Sequence, residues 1–243
     1  MRRFAIEVEY DGTNFYGWQR QAHKRSVQEI LETGLADLNQ GRKVTVIGAG
    51  RTDAGVHARA QVAHFDLTTK LAPERIRKAL NAKTPSDIYV HQCWETNTDF
   101  HARFQARRRI YLYQILLGRS VVQRHYTWQI EFDLNQDLLV ECARLIEGQH
   151  DFTRLCRSAA QSRSKICSIY ESKWIKEEKM LYYKIAGDRF LHRMVRMLVG
   201  TMVEIARGKG IIADFQALID NSKATLRTFT APPQGLFLWQ IEY

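Results

Sequence analysis

The chain has little cysteine: four in 243 residues, at positions 93, 142, 156 and 167, with no C-x-x-C pair among them. No two histidines stand at zinc-finger spacing either. The thiols therefore read as buried or incidental in a reducing compartment, and no metal site is expected. No apolar run approaches the roughly 18 residues that a membrane helix needs. The first apolar stretch is broken by Glu7 and Glu9, which no secretory signal would be. A cytoplasmic location without a membrane partner is the expectation. Low-complexity tracts are missing too, and with 45% apolar and 26% charged residues the composition is that of a globular protein. A chain of this length can bury a core without disulfides and, at about 150 residues per domain, makes one to two domains.

Negative charge is also in deficit. Thirty-six Lys and Arg stand against 26 Asp and Glu, a net charge of +10. Such a balance favours an anionic partner, nucleic acid among others, and says nothing about fold.

Alternation at 4–10 and 61–67 and the β-branched and aromatic residues of 106–117 predict strands, with further strands expected at 44–47, 88–94, 169–175, 181–186 and 236–241. Ser26-Val27-Gln28-Glu29 has the form of a capping box, followed by Val27, Ile30, Leu31, Leu35 and Leu38 at helical spacing. Pro73 suits the first turn of a helix to about Asn81. Further helices are expected at 138–146 and at 190–206, the latter capped by Asp188. Lys176 to Lys179 reads as the turn of a hairpin. Hairpins join the strands as often as helices do, so the fold class is α+β rather than a doubly wound parallel sheet. Two α/β lobes are expected, 1–105 and 106–243, packed edge to edge with no linker of Pro, Gly and Ser between them.

The most unusual segment is Gly48-Ala49-Gly50-Arg51-Thr52-Asp53-Ala54-Gly55-Val56-His57-Ala58. Its glycines allow a tight backbone around a cation, a hydroxyl and a carboxylate. It is not a dinucleotide loop, because the sixth position of that fingerprint is Asp53 and a strand, not a helix, follows. There is no G-K-[ST] for a P-loop, no H-E-x-x-H and no nucleophile elbow. Asp53 is thus a candidate nucleophile or base, with Arg51 two residues away to keep it ionised or to grip a phosphate. An aspartate in such a loop caps a turn at least as often as it does chemistry. Arg189, Arg193 and Arg196, at steps of four and three, fall on one edge of the expected 190–206 helix beside the stripe Leu191, Met194, Val195, Leu198 and Met202. That edge is a solvated face, a phosphate track, or a way to put an arginine into a cleft beside a carboxylate. Tyr111 follows the Arg107-Arg108-Arg109 run, and arginines beside aromatics suit RNA, whose bases stack on rings while guanidinium groups hold phosphates. Arg107, Arg109, Arg189 and Arg193 are accordingly candidate substrate-binding residues.

Taken in order, these motifs resemble the TruA family of tRNA pseudouridine synthases along almost the whole chain. The resemblance rests on Tyr10 to Thr13, Gly17 to Gln19, Ser26 to Gln28 and, above all, Gly50 to Ala58. It continues through Phe100 to Phe104, the strand with Tyr111, His150 to Phe152, Phe190 to Gly200 and Ala231 to Leu236. It implies isomerisation of uridine to pseudouridine in the anticodon stem-loop of tRNA, at positions 38, 39 and 40. It also implies a homodimer, no cofactor and no metal, and two lobes around a mixed, largely antiparallel sheet with the active-site cleft between them. Carried over, Asp53 is the nucleophile, Tyr111 stacks on the target base, and Arg196 keeps the aspartate ionised. Arg51 is linked to extruding the base, and Leu236 packs against the site. Two rival readings stand beside it: a catalytically silent tRNA-binding protein on the same scaffold, and a nucleotide-dependent enzyme using the glycine loop.

Overall fold

A computed structural model describes residues 1–157 and 164–243. In chain order the elements are β1 (Arg2–Tyr10), α1 (Val27–Leu38), β2 (Ile47–Gly48), β3 (His57–Leu67), α2 (Pro73–Lys83) and β4 (Ile88–Thr96). Then follow β5 (Arg108–Leu117), β6 (Trp128–Ile130), α3 (Gln136–Leu145), β7 (Gly148–Asp151), β8 (Ile166–Glu177) and β9 (Met180–Gly187). The chain ends with α4 (Met194–Ala206), α5 (Ile212–Ile219) and β10 (Leu236–Glu242). It divides into two compact units, Met1–Arg107 with Phe237–Tyr243, and Arg108–Leu236. The closing strand, counted with the second lobe on sequence grounds, thus belongs mostly to the first.

In the first unit, β1 lies between β3 and β4, antiparallel to both, and β2 adds to β3. Phe237 and Leu238 of β10 pair in parallel with His57 and Ala58 of β3. α1 packs against α2, which covers β4. The alternation of β1 is met: Phe4, Ile6, Val8 and Tyr10 are buried. Val27, Leu31 and Leu35 bury one face of α1. The capping box does not form. Glu29 faces Arg20 at 3.8 Å, and the Ser26 hydroxyl is buried with no hydrogen-bond partner among the described residues. Val44 and Val46 are buried as expected, but the strand there shrinks to Ile47–Gly48.

In the second unit, β9 lies between β5 and β8, antiparallel to both, with β7 antiparallel to β8 and short β6 parallel to β5. The β8–β9 hairpin turns at Glu178, in the left-handed region at φ 52°. α3 packs on β8 and against α4 and α5. The architecture is therefore α+β, with mixed, largely antiparallel sheet flanked by helices.

The helix expected from residue 190 begins at Met194 instead. Arg193, its N-cap residue, is left-handed at φ 62° and ψ 6°, which no helical run passes through. Asp188 does not cap it: its Oδ1 accepts from Ser168 N–H at 2.9 Å, turning it toward β8. Arg189 lies outside the helix and Arg193 at its edge, so the three arginines do not form one helical row. The apolar stripe survives because Leu191 folds under the helix start and is buried with Met194, Val195, Leu198 and Met202.

Candidate active site

Asp53 sits on the irregular segment between β2 and β3, half-buried, between exposed Arg51 and Ala54. The backbone there is wedged by glycine. A Cβ on Gly12 would stand 2.1 Å from Val56 O, and one on Gly17 would meet Thr52 O at 2.4 Å. Gly17 also has φ +91°, closed to ordinary side chains. The same two segments bond the loop: Trp18 N–H donates to Thr52 O at 3.2 Å and Gly55 N–H to Phe15 O at 3.2 Å. Val56 N–H donates to Asp53 O at 3.2 Å, closing a turn around the carboxylate. This explains why the Tyr10–Thr13 and Gly17–Gln19 motifs accompany the acid motif. They are its floor.

Buried side chains complete the hold. The Tyr10 hydroxyl lies 2.8 Å from Thr52 Oγ1, both buried. The Gln61 amide brackets Gly50, accepting from its N–H at 3.2 Å and donating to its carbonyl at 2.8 Å. His57, buried and stacked on Phe237 with centroids 4.6 Å apart, accepts from Gly12 N–H through Nδ1 at 3.0 Å. The sequence alone assigns Tyr10, Thr52, Gln61 and His57 no role. Their signal is their place inside or beside the glycine motifs, but only the folded loop shows which way they bond. Burial, and the like charge of Arg103, lower the Arg51 guanidinium from its ordinary value. At neutral pH Arg51 stays charged, and two cations held together favour an anion nearby.

The second unit carries the other candidates. Tyr111 is buried on β5, edge-on to Phe190 with centroids 5.1 Å apart and planes at 85°. Arg196, half-buried in the first turn of α4, donates from Nε to Ala231 O at 2.8 Å, and Ala231 N–H returns a bond to Arg196 O at 3.0 Å. The Tyr113 hydroxyl donates to Pro232 O at 2.7 Å. Gly200 lets the crossing chain approach α4, since a Cβ there would meet Phe229 O at 2.3 Å. Gly235 lies against the Tyr113 ring, and Leu236 is buried beyond it. The motif Ala231 to Leu236 is thus one strap tied to Arg196 and Tyr113.

The remaining arginines separate into different kinds. Arg109 is buried and donates to Asp188 O at 2.5 Å, which ties β5 to the end of β9. Arg189 donates to Ser164 O at 3.1 Å. Arg107 and Arg193 are exposed. Arg108, not singled out from sequence, donates to Glu171 at 2.9 Å.

All four cysteines are free thiols, and burial pushes Cys93, Cys142 and Cys167 each up to about 12. Such thiols are inert as nucleophiles at neutral pH. Among the described residues no group of three or more His, Cys, Asp or Glu is placed to hold a metal ion, and no helix is long and apolar enough to cross a membrane.

Fold and loop together are those of a protein that presents a fixed carboxylate from an α+β scaffold. Comparison with known proteins makes this specific. A family model described as tRNA pseudouridine synthase matches residues 6–105 and 142–243. The tRNA pseudouridine synthase A of Anoxybacillus flavithermus is 38% identical over 244 residues, covering all of this chain and 99% of the relative. The proteins of that name from Geobacillus kaustophilus and Thermoanaerobacter sp. (strain X514) are 40% and 39% identical, with all of this chain covered and 95% and 100% of each relative. The chain belongs to the TruA family of tRNA pseudouridine synthases.

Proposed function

We propose that this enzyme isomerises uridine to pseudouridine in the anticodon stem-loop of tRNA, at positions 38, 39 and 40, with Asp53 as the nucleophile. The observation that carries the role of Asp53 is its place: a half-buried carboxylate on a backbone wedged by Gly12 and Gly17, in a family whose reaction needs a fixed acid group. In this reaction the N1–C1′ bond of the uridine breaks and a C5–C1′ bond forms. The C5 proton leaves and N1 gains one, so nothing is consumed. A carboxylate that forms a temporary bond to the nucleotide and is then released splits the exchange into two steps.

In this reading the carboxylate works with a cation that keeps it ionised, the part assigned to Arg196, and with the ring of Tyr111 against the target base. Arg51 assists extrusion of the base from the stem, which costs a few kcal/mol of stacking and pairing. Phosphate contacts from a chain of net charge +10 help to offset that cost. Arg107 and Arg193, both exposed, are the better-placed of the candidate phosphate ligands. Arg109 and Arg189 support the backbone on which Tyr111 and Phe190 stand. Leu236 packs the strap. A homodimer in the cytoplasm, acting without a metal or small-molecule cofactor, belongs to the same reading.

The test is release of tritium from C5-labelled uridine in an unmodified tRNA, followed by mapping of the new nucleoside. Release with pseudouridine at positions 38 to 40 is expected. Binding of tRNA with no release would favour the silent RNA-binding protein, and modification elsewhere in the tRNA would move the assigned target.

A further inference from the structure

The segment Asp99 to Gln105 has no part in the chemistry above, yet it is one of the most firmly tied loops of the first unit. Arg3, paired with both oxygens of Asp66 at 2.8 Å, also donates to Phe100 O at 3.0 Å and to Thr98 O. His64 Nδ1 accepts from Ala102 N–H at 3.1 Å, and the Tyr243 hydroxyl donates to Ala102 O at 2.9 Å. Gln105 Oε1 accepts from His101 N–H at 3.1 Å, and Gln105 N–H donates to His101 O at 3.0 Å. His101 Nδ1 in turn accepts from the N–H groups of Arg103 and Phe104 at 3.2 Å each. Burial, with His101 and Arg3 nearby, lowers His64 to about 4, so it stays a neutral acceptor at physiological pH.

All this order presents one apolar side chain to water. Phe104 is 77% exposed. Its ring is stacked on His101, with centroids 4.2 Å apart and planes at 28°, and His101 sits 4.8 Å from His64. A mobile side chain exposes an aromatic ring by accident; this one is backed by a second ring and fixed at its root. Two arginines lie near it. The Arg103 guanidinium is 5.8 Å from the ring centroid, at the outer limit of a cation–π contact. Arg103 is close enough to lower Arg51, and exposed Arg107 joins Phe100, Phe104, Gln105 and Tyr243 in lining an open cavity of about 520 Å³. A flat, exposed ring with arginines around it is the chemistry that recognises a nucleobase and its phosphates. A protein partner would bury the ring but would not need arginines at its edge.

We infer that Phe104, backed by His101, is a stacking platform for an unpaired base of the RNA substrate, with Arg103 and Arg107 taking the adjoining phosphates. This rests on the reading of the protein as a tRNA-modifying enzyme and gives Phe104 a part in substrate binding, not in the chemical step.

The experiment measures binding of unmodified tRNA, with tritium release alongside, for the wild-type enzyme and for Phe104→Ala, Phe104→Leu, Phe104→Trp and Arg103→Ala. Stacking predicts that Ala and Leu weaken binding by about five- to a hundredfold, with a matching loss in kcat/KM, and that Trp restores it. Ala at Phe104 should leave the slope of log affinity against log salt unchanged, whereas Ala at Arg103 should lower it by about one. Leu binding as well as wild type, or Ala without effect, would overturn the inference. So would a change of oligomeric state in Phe104→Ala at unchanged tRNA affinity, which would make the ring a contact between copies of the chain. Absence of tritium release from the wild type would count against the proposed reaction, and the binding series would still decide the platform.

Discussion

The loop that carries Asp53 and the strap from Ala231 to Leu236 are both irregular segments on which a proposed site depends, and they are locked by different means. Glycine permits a close crossing in each, at Gly12 and Gly17 under the loop and at Gly200 under the strap. The loop is then fixed by buried side chains: Tyr10 to Thr52, Gln61 to Gly50, and His57 to Gly12 and, at 3.1 Å, to Asp11. The strap is fixed by a cation, Arg196, with the Tyr113 hydroxyl beside it. The acid loop is thus held without a guanidinium. The strap hangs on Arg196, for which a second task, as partner of the carboxylate, is proposed.

The strongest way to break this contrast is at the glycines. Gly17→Ala puts a methyl group 2.4 Å from Thr52 O at a φ of +91°, so the Asp53 backbone must move. A stability loss of about 3 kcal/mol or more is expected, with loss of tritium release even well below the melting temperature. Full activity in that variant would mean that the loop needs no wedge. Next comes Arg196→Ala, which removes the Ala231 tie and the proposed partner of the carboxylate. Turnover should fall by roughly ten- to a hundredfold, and Arg196→Lys should recover only part of it, because lysine cannot offer the planar Nε–H. A full recovery with lysine would reduce Arg196 to a simple charge.

A third comparison uses pH. His64 has its folded value lowered to about 4, below the ordinary 6.5, so the unfolded chain binds more protons between those values. Stability therefore rests intact above about pH 6.5 and is lost as pH falls toward 4. At pH 5 the cost is roughly 2 kcal/mol, which His64→Gln should not show. Parallel melting curves for the two proteins at pH 7.5 and 5.0 check it; equal losses would remove His64 as the source. The smallest effect is expected at Ser26, whose hydroxyl bonds to nothing among the described residues. Ser26→Ala should change stability by less than about 0.5 kcal/mol, whereas Asn135→Ala should cost about 1, since Asn135 Oδ1 accepts from Asp137 N–H at 3.0 Å.

That last pair shows what was legible in the sequence and what was not. Ser26 and Glu29 have the spacing of a capping box, but Glu29 is drawn to Arg20, a tertiary competitor that spacing cannot reveal. Burial of the stripe Leu191 to Met202 was readable from its period. The left-handed Arg193 was not, because a turn that tucks Leu191 inward leaves the same apolar pattern as another helical turn. β6 and β7 are too short, at three and four residues, to show a period, and α5 is only eight residues long although Phe215, Leu218 and Ile219 are buried at helical spacing. The glycine motif announced Asp53 because glycines 12 and 17 and the acid lie in recognisable runs. The strap's dependence on Gly200 and Arg196 joins residues some thirty positions apart, and only the fold brings them together.

The central claim is that the Asp53 carboxylate makes the covalent attack. Asp53→Asn keeps the side chain's size and removes its charge. Tritium release from C5-labelled tRNA by that variant, measured beside its tRNA affinity, should fall to background while affinity stays within about threefold of wild type. Release at the wild-type rate would contradict the account and move the nucleophile elsewhere in the chain.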